Sequence, residues 1–149
     1  MANDIFGDLQ NWGHVLDQMG RLAREGSLDQ HQAGLARVAR YPFNWRLREA
    51  ALRTIGLLKE PTEEVIEVVL RILTNEHGDL DMRILAGDAL ARLLSNGAAA
   101  SMSDRMRCRI AQSMQDILGT TGPPVLHAAA QGWREQLQQT ARVAAITAR

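Results

Sequence analysis

Cysteine occurs once in the 149 residues, as Cys108. A single thiol excludes an internal disulfide and any zinc site built on several cysteines. Lysine is equally rare, since Lys59 is the only one of 17 basic side chains that is not arginine. Neither sign of charge is in surplus, because 17 acidic side chains balance the 17 basic ones. A nucleic-acid binder more often carries a basic excess, so a bulk electrostatic partner is disfavoured. Aromatic residues are few (three Trp, two Phe, one Tyr), and apolar–polar alternation never persists over a strand length, which argues against β-structure. The longest uncharged stretch, Ile117 to Trp133, is interrupted by Gly119, Gly122, Pro123 and Pro124, so no membrane-spanning helix is expected. Met1 to Asp8 carries two aspartates and no base, unlike a secretory signal, and a cytoplasmic location is expected.

What the chain does have is alanine, leucine, arginine and glutamine, all good helix formers, at a length suited to one domain. Glycine, proline and capping residues divide it into about seven helical segments. The first runs from Asp4 to Glu25, with Ile5, Leu9, Trp12, Leu16, Met19 and Leu22 on one face, and stops at Gly26. Ser27 and Gln30 form a capping-box pattern for the second, which ends at Tyr41-Pro42. Asn44 caps the third, with Leu47, Ala51, Ile55 and Leu58 as its stripe. The fourth follows Pro61-Thr62, opens with Glu63 and Glu64, and is apolar around much of its circumference. Asp79 or Asp81 caps the fifth, and Ser101 or Ser103 starts the sixth. Pro123 and Pro124 suit the first turn of a seventh, in which Gly132 is a candidate break.

Two stretches match at a spacing of 35 residues. Asn44-Trp45-Arg46-Leu47-Arg48 falls on Asp79-Leu80-Asp81-Met82-Arg83, and beyond them Ala51 falls on Ala86, Ile55 on Leu90 and Leu58 on Leu93. Each helix follows a partner helix, so the repeating unit is a helical hairpin. A lone hairpin cannot bury its apolar face, and hairpins therefore stack. The capping Asn or Asp, the apolar residue before Arg, then Ala and then Leu or Ile resemble HEAT repeats, closest to the short bacterial type also found in phycobilisome-lyase-like proteins. The resemblance covers Asn44 to Leu94. It implies an all-α, α-α superhelix across residues 1–149, a short right-handed solenoid of about three hairpins. The best repeats are 27–58 and 61–95, with a degenerate third at 101–149 and an N-terminal capping helix at 4–25.

Candidate chemistry is sparse. His14, His31, His77 and His127 are too far apart to share a helix face, and ordinary helix-end or surface histidines are the simpler reading. Cys108, between Arg107 and Arg109, has no nucleophile signature around it and is expected to pack in the core. Gly119-Thr120-Thr121-Gly122 follows a helix and lacks the Gly-Lys-Ser/Thr of a phosphate loop. No cofactor, metal or catalytic residue is expected. Charge is uneven along the chain: residues 60–96 hold three arginines and eight acids, while the segments on either side are net basic.

The arginines Arg37, Arg40, Arg46, Arg48 and Arg53 interleave with Tyr41, Phe43 and Trp45, a pattern open to nucleic acid or an acidic peptide. Structural roles compete. At the 35-residue offset Arg46 meets Asp81 and Arg53 meets Asp88, so these are expected to pair between neighbouring helices roughly 8–10 Å apart. Arg48 and Arg83 are expected to serve a ladder between repeats. Solenoids present the second helices of their hairpins as a concave surface that binds extended peptides or proteins. Trp45, Arg46, Glu49 and Arg53 of one repeat, with Asp81, Ile84, Asp88 and Arg92 of the next, are the expected partner-binding set, Trp45 its anchor. The leading expectation is thus a non-enzymatic protein-interaction scaffold. The alternative is nucleic-acid binding through the arginine-rich inner helices, as in the DNA-repair members that the resemblance implies. That alternative requires the arginines of Arg37 to Arg53 and Arg105 to Arg109 to converge on one face, free of acidic partners. An enzyme, or an accessory to one, would need a pocket of convergent polar groups, of which the sequence carries no sign.

Overall fold

The computed structural model describes residues 4–148. They form seven α-helices and no strand: α1 (Trp12–Glu25), α2 (Gln32–Ala39), α3 (Trp45–Ile55), α4 (Glu63–Thr74), α5 (Leu80–Ser95), α6 (Asp104–Gly119) and α7 (Pro124–Thr147). Single 3-10 turns, Leu28–His31 and Ala98–Ser101, lead into α2 and follow α5. The caps follow the residues that the sequence offers. The Asn44 carboxamide accepts the backbone N–H of Arg46 and Leu47, the Thr62 hydroxyl that of Val65, the Asp79 carboxylate that of Met82, and the Ser103 hydroxyl that of Met106. Asp79 and Ser103, rather than Asp81 and Ser101, are therefore the starts of α5 and α6.

Helices pair as three hairpins, α2 with α3, α4 with α5 and α6 with α7. The pairs stack so that α2, α4 and α6 make one layer, while α1, α3, α5 and α7 make the other. The result is an all-helical, solenoid-like stack. The core runs between the layers through Leu35, Leu47, Ile55, Val69, Leu73, Leu90, Leu93 and Ile110, all fully buried. The helix α4 carries Val65, Ile66, Val68, Val69, Leu70 and Leu73 inward because neighbours cover it from two sides.

Four expectations change. The first helix starts at Trp12 and not at Asp4; the preceding residues make turns that press Phe6, fully buried, against Gly34 of α2. A Cβ at Gly34 would lie 2.7 Å from that ring, so the fit needs glycine. Trp12, expected on the apolar face, is 51% exposed, and Val15 takes that position. The Ser27–Gln30 capping box does not form. Gln32 and Asp29 take over that corner: the Gln32 amide donates to the Glu60 carbonyl (2.9 Å) and accepts from Thr62 N–H (2.7 Å), while Asp29 accepts from Glu60 N–H (2.6 Å). Finally, Gly132 does not divide the last helix, which is continuous over 24 residues.

Candidate binding cleft on the second-helix layer

Neighbouring helices of one layer leave a furrow wherever their facing side chains are small or splayed. Between α3 and α5 the furrow opens into a cavity of about 430 Å³. Trp45, Glu49 and Arg53, successive turns of one face of α3, form one wall. Asp81, Ile84 and Leu85 of α5 form the other, with Asp79 and Met82 at the end nearest the helix starts. Arg53 and Leu85 continue into a second depression of about 300 Å³, completed by Asp88, Ala89 and Arg92. Of the residues expected to bind a partner, Trp45, Glu49, Arg53, Asp81, Ile84, Asp88 and Arg92 line these two joined hollows. Arg46 does not; its guanidinium lies over the Trp45 ring, 5.4 Å from the centroid. Leu85 and Met82, one turn from Asp81 and beside it, also line the cleft and follow from the same helical spacing, though neither was among the expected binding residues.

The rim carries both signs of charge around an apolar floor. Trp45 is 60% exposed at the mouth. Arg53 bonds Glu49 at 2.8 Å within α3. Asp88 accepts the Trp133 indole N–H at 2.7 Å, which ties the cleft's far end to α7. The expected pairs Arg46–Asp81 and Arg53–Asp88 are thus not formed. A partner one turn away on the same helix costs less side-chain ordering than one across a furrow, and the Trp133 indole already occupies Asp88. Gly56 gives room for the Arg92 stem, which passes 3.3 Å from where a glycine Cβ would be.

Of the five arginines read together in the sequence, three take separate partners. Arg37 bonds Asp4 at 2.6 Å, Arg46 covers Trp45, and Arg53 takes Glu49. Arg40 and Arg48 lie at the loop end of the hairpins. Farther along, Arg107 pairs with Asp104 and Arg109 with Glu67. Arg48 and Arg83 do not bridge repeats: each donates back within its own hairpin, to the carbonyls of Ala39 (3.0 Å) and Leu73 (2.9 Å). Cys108, expected in the core, is exposed, because Met106 and Ile110 are the residues of α6 that turn inward. Among the described residues no group of three or more His, Cys, Asp or Glu side chains is placed to hold a metal ion. No helix there is long and apolar enough to cross a membrane.

Compared with known proteins, the chain matches no protein-family model, no curated protein and no solved structure. The cleft's geometry and chemistry therefore carry the functional reading.

Proposed function

We propose that this protein is a non-catalytic interaction module of HEAT type, acting in the cytoplasm, that receives an extended segment of a protein partner in the α3–α5 cleft. The observation that carries the reading is Trp45, a large aromatic left 60% exposed beside the half-buried Ile84 and Leu85. An exposed aromatic at the edge of an apolar furrow is the usual centre of a protein-binding hot spot. Charges of both signs on the rim, Glu49, Arg53, Asp81 and Arg92, suit a polypeptide better than a uniformly anionic polymer. The nucleic-acid alternative finds less support, since Arg37, Arg53, Arg107 and Arg109 each face an acidic partner.

The test is an affinity capture from lysate of the source cell with wild type and with the Trp45→Ala/Arg53→Ala variant, followed by mass spectrometry. A protein retained by wild type and lost by the folded variant is expected. Recovery of nucleic acid alone, with salt-dependent retention on heparin, would transfer the function to the alternative.

A further inference from the structure

A second hollow, of about 230 Å³, opens at the loop end of the first two hairpins and shares Asp79 and Met82 with the cleft. Three arginines from three helix ends line it: Arg40 after α2, Arg48 in the first turns of α3, and Arg71 in the last turn of α4. Like charges converge at a cost unless an anion offsets them. Among the described residues, no salt bridge includes any of the three. Arg48 uses its Nε on the Ala39 carbonyl, which fixes the side chain and leaves its two terminal amino groups without a protein partner among the described residues. Asn75, also in the lining, spends its Oδ1 on the His77 N–H at 3.1 Å, so its Nδ2 remains as a donor. The one carboxylate in the wall, Asp79, is engaged as the cap of α5. Apart from the Asp79 Oδ2, the side-chain groups of the hollow left without a partner are donors, most of them cationic.

The hairpin repeat does not explain this cluster. At the 35-residue offset Arg48 has its counterpart in Arg83, but Arg40 falls on Asn75 and Arg71 on Met106. The repeat thus reproduces only one of the three arginines. Guanidinium forks match the oxygens of phosphate in geometry as well as charge. We propose that Arg40, Arg48 and Arg71 form a binding site for a phosphoryl dianion, either free phosphate or a phosphorylated side chain. The assignment does not depend on what the neighbouring cleft binds.

Calorimetric titration in a low-salt zwitterionic buffer tests it, with inorganic phosphate and with O-phosphoserine as probes. Wild type is expected to show saturable one-to-one binding that weakens as sodium chloride is added. Arg40→Gln and Arg71→Gln should each weaken it about tenfold, the loss expected for one charge-assisted contact, and the double variant should abolish it. Both side chains are exposed, so folding should be unchanged. Arg53→Gln, in the cleft, should bind as wild type does. Tighter binding of O-phosphoserine would mark a phosphorylated side chain as the source, and equal binding free phosphate. Absence of saturable binding by wild type, retention by the double variant, or an equal loss in Arg53→Gln would overturn the assignment.

Discussion

An arginine follows three of the four capping side chains by four positions, and it has one job in all three places. Arg48, Arg83 and Arg107 follow Asn44, Asp79 and Ser103, and each donates to a carbonyl of the preceding helix or turn: Ala39, Leu73 and Ala99 (2.7 Å). Carbonyls at a helix C-terminus lack intrahelical donors, and the dipole there favours a cation. The third copy sits on α6, the first helix of its hairpin, which is why the 35-residue register did not find it. Arg83 is only 7% exposed. Replacing it by Met keeps the apolar stem and removes a charge-assisted bond to a buried carbonyl. A loss of about 1.5–3 kcal/mol is expected, read as a lower urea midpoint at unchanged slope. Asp4 offers a pH test. The hydrogen bond from Arg37 holds its carboxyl below the usual carboxylate range, helped by the backbone N–H of Phe6. A depressed folded pKa contributes stability above the unfolded value, near pH 3.9, and that contribution is lost as pH falls through the lower folded value. The pair is partly exposed, so screening limits it to about 1 kcal/mol or less. Asp4→Asn should remove this contribution at neutral pH and flatten the acid limb of a stability–pH curve.

Between helices, the tightest fit is α7 on α5. A Cβ at Gly87 would fall 2.0 Å from the Trp133 ring, which is 2% exposed and donates to Asp88. Gly132, one residue before that tryptophan, has nothing within 4 Å of its Cβ position. Both glycines are helical, yet alanine should act on them with opposite sign. Gly87→Ala should destabilise by about 1–3 kcal/mol, because the helix-propensity gain is smaller than the overpacking cost. Gly132→Ala should stabilise by about 0.5–1 kcal/mol. Thermal unfolding of the two variants beside wild type checks the pair. Similar effects of like sign would refute the packing of Trp133 on α5. Gly132 looked like a candidate break because glycine is a poor helix former, but burial of Trp133 on one side and Leu126 and Ala130 on the other holds the helix through it.

Across the molecule, the two ends contribute unequally. The N-terminal segment buries Phe6, Leu9, Val15, Met19 and Leu22, with α1 covering α3 as a lone second helix. At about 1.5–3 kcal/mol for each of these side chains, removing residues 1–26 forfeits about 7.5–15 kcal/mol, as much as the 5–15 kcal/mol that stabilises a typical domain. That truncation should give an unfolded or aggregated chain by circular dichroism. Beyond Trp133, α7 buries no side chain fully, and Val143 and Ile146 are 53% and 75% exposed. Deleting residues 142–149 should leave stability within about 0.5 kcal/mol. The end effect also explains why the terminal repeats were hardest to recognise: a hairpin with a neighbour on one side needs only one apolar face, so its pattern thins.

Local chemistry settled much of this protein before any packing was considered. Helix identity follows from propensity and apolar period, and the starts of α3 and α4 from Asn44 and Thr62, because those forces act within a few residues; at α5 and α6 two capping residues competed, and the fold chose Asp79 and Ser103. The pairing of helices into hairpins was readable too, since a 35-residue repeat can only reflect a repeated unit. Most of the cleft was legible for the same reason: Trp45, Glu49, Arg53, Asp81, Ile84, Asp88 and Arg92 share helix faces set by spacing alone. Side-chain partners were not. Whether Arg53 meets Glu49 or Asp88, whether Asp88 is claimed by Trp133 45 residues away, and whether Arg71 joins Arg40 and Arg48 depend on which competitor lies nearest. A long charged side chain has several partners of nearly equal energy, and only the assembled layers decide which one it reaches.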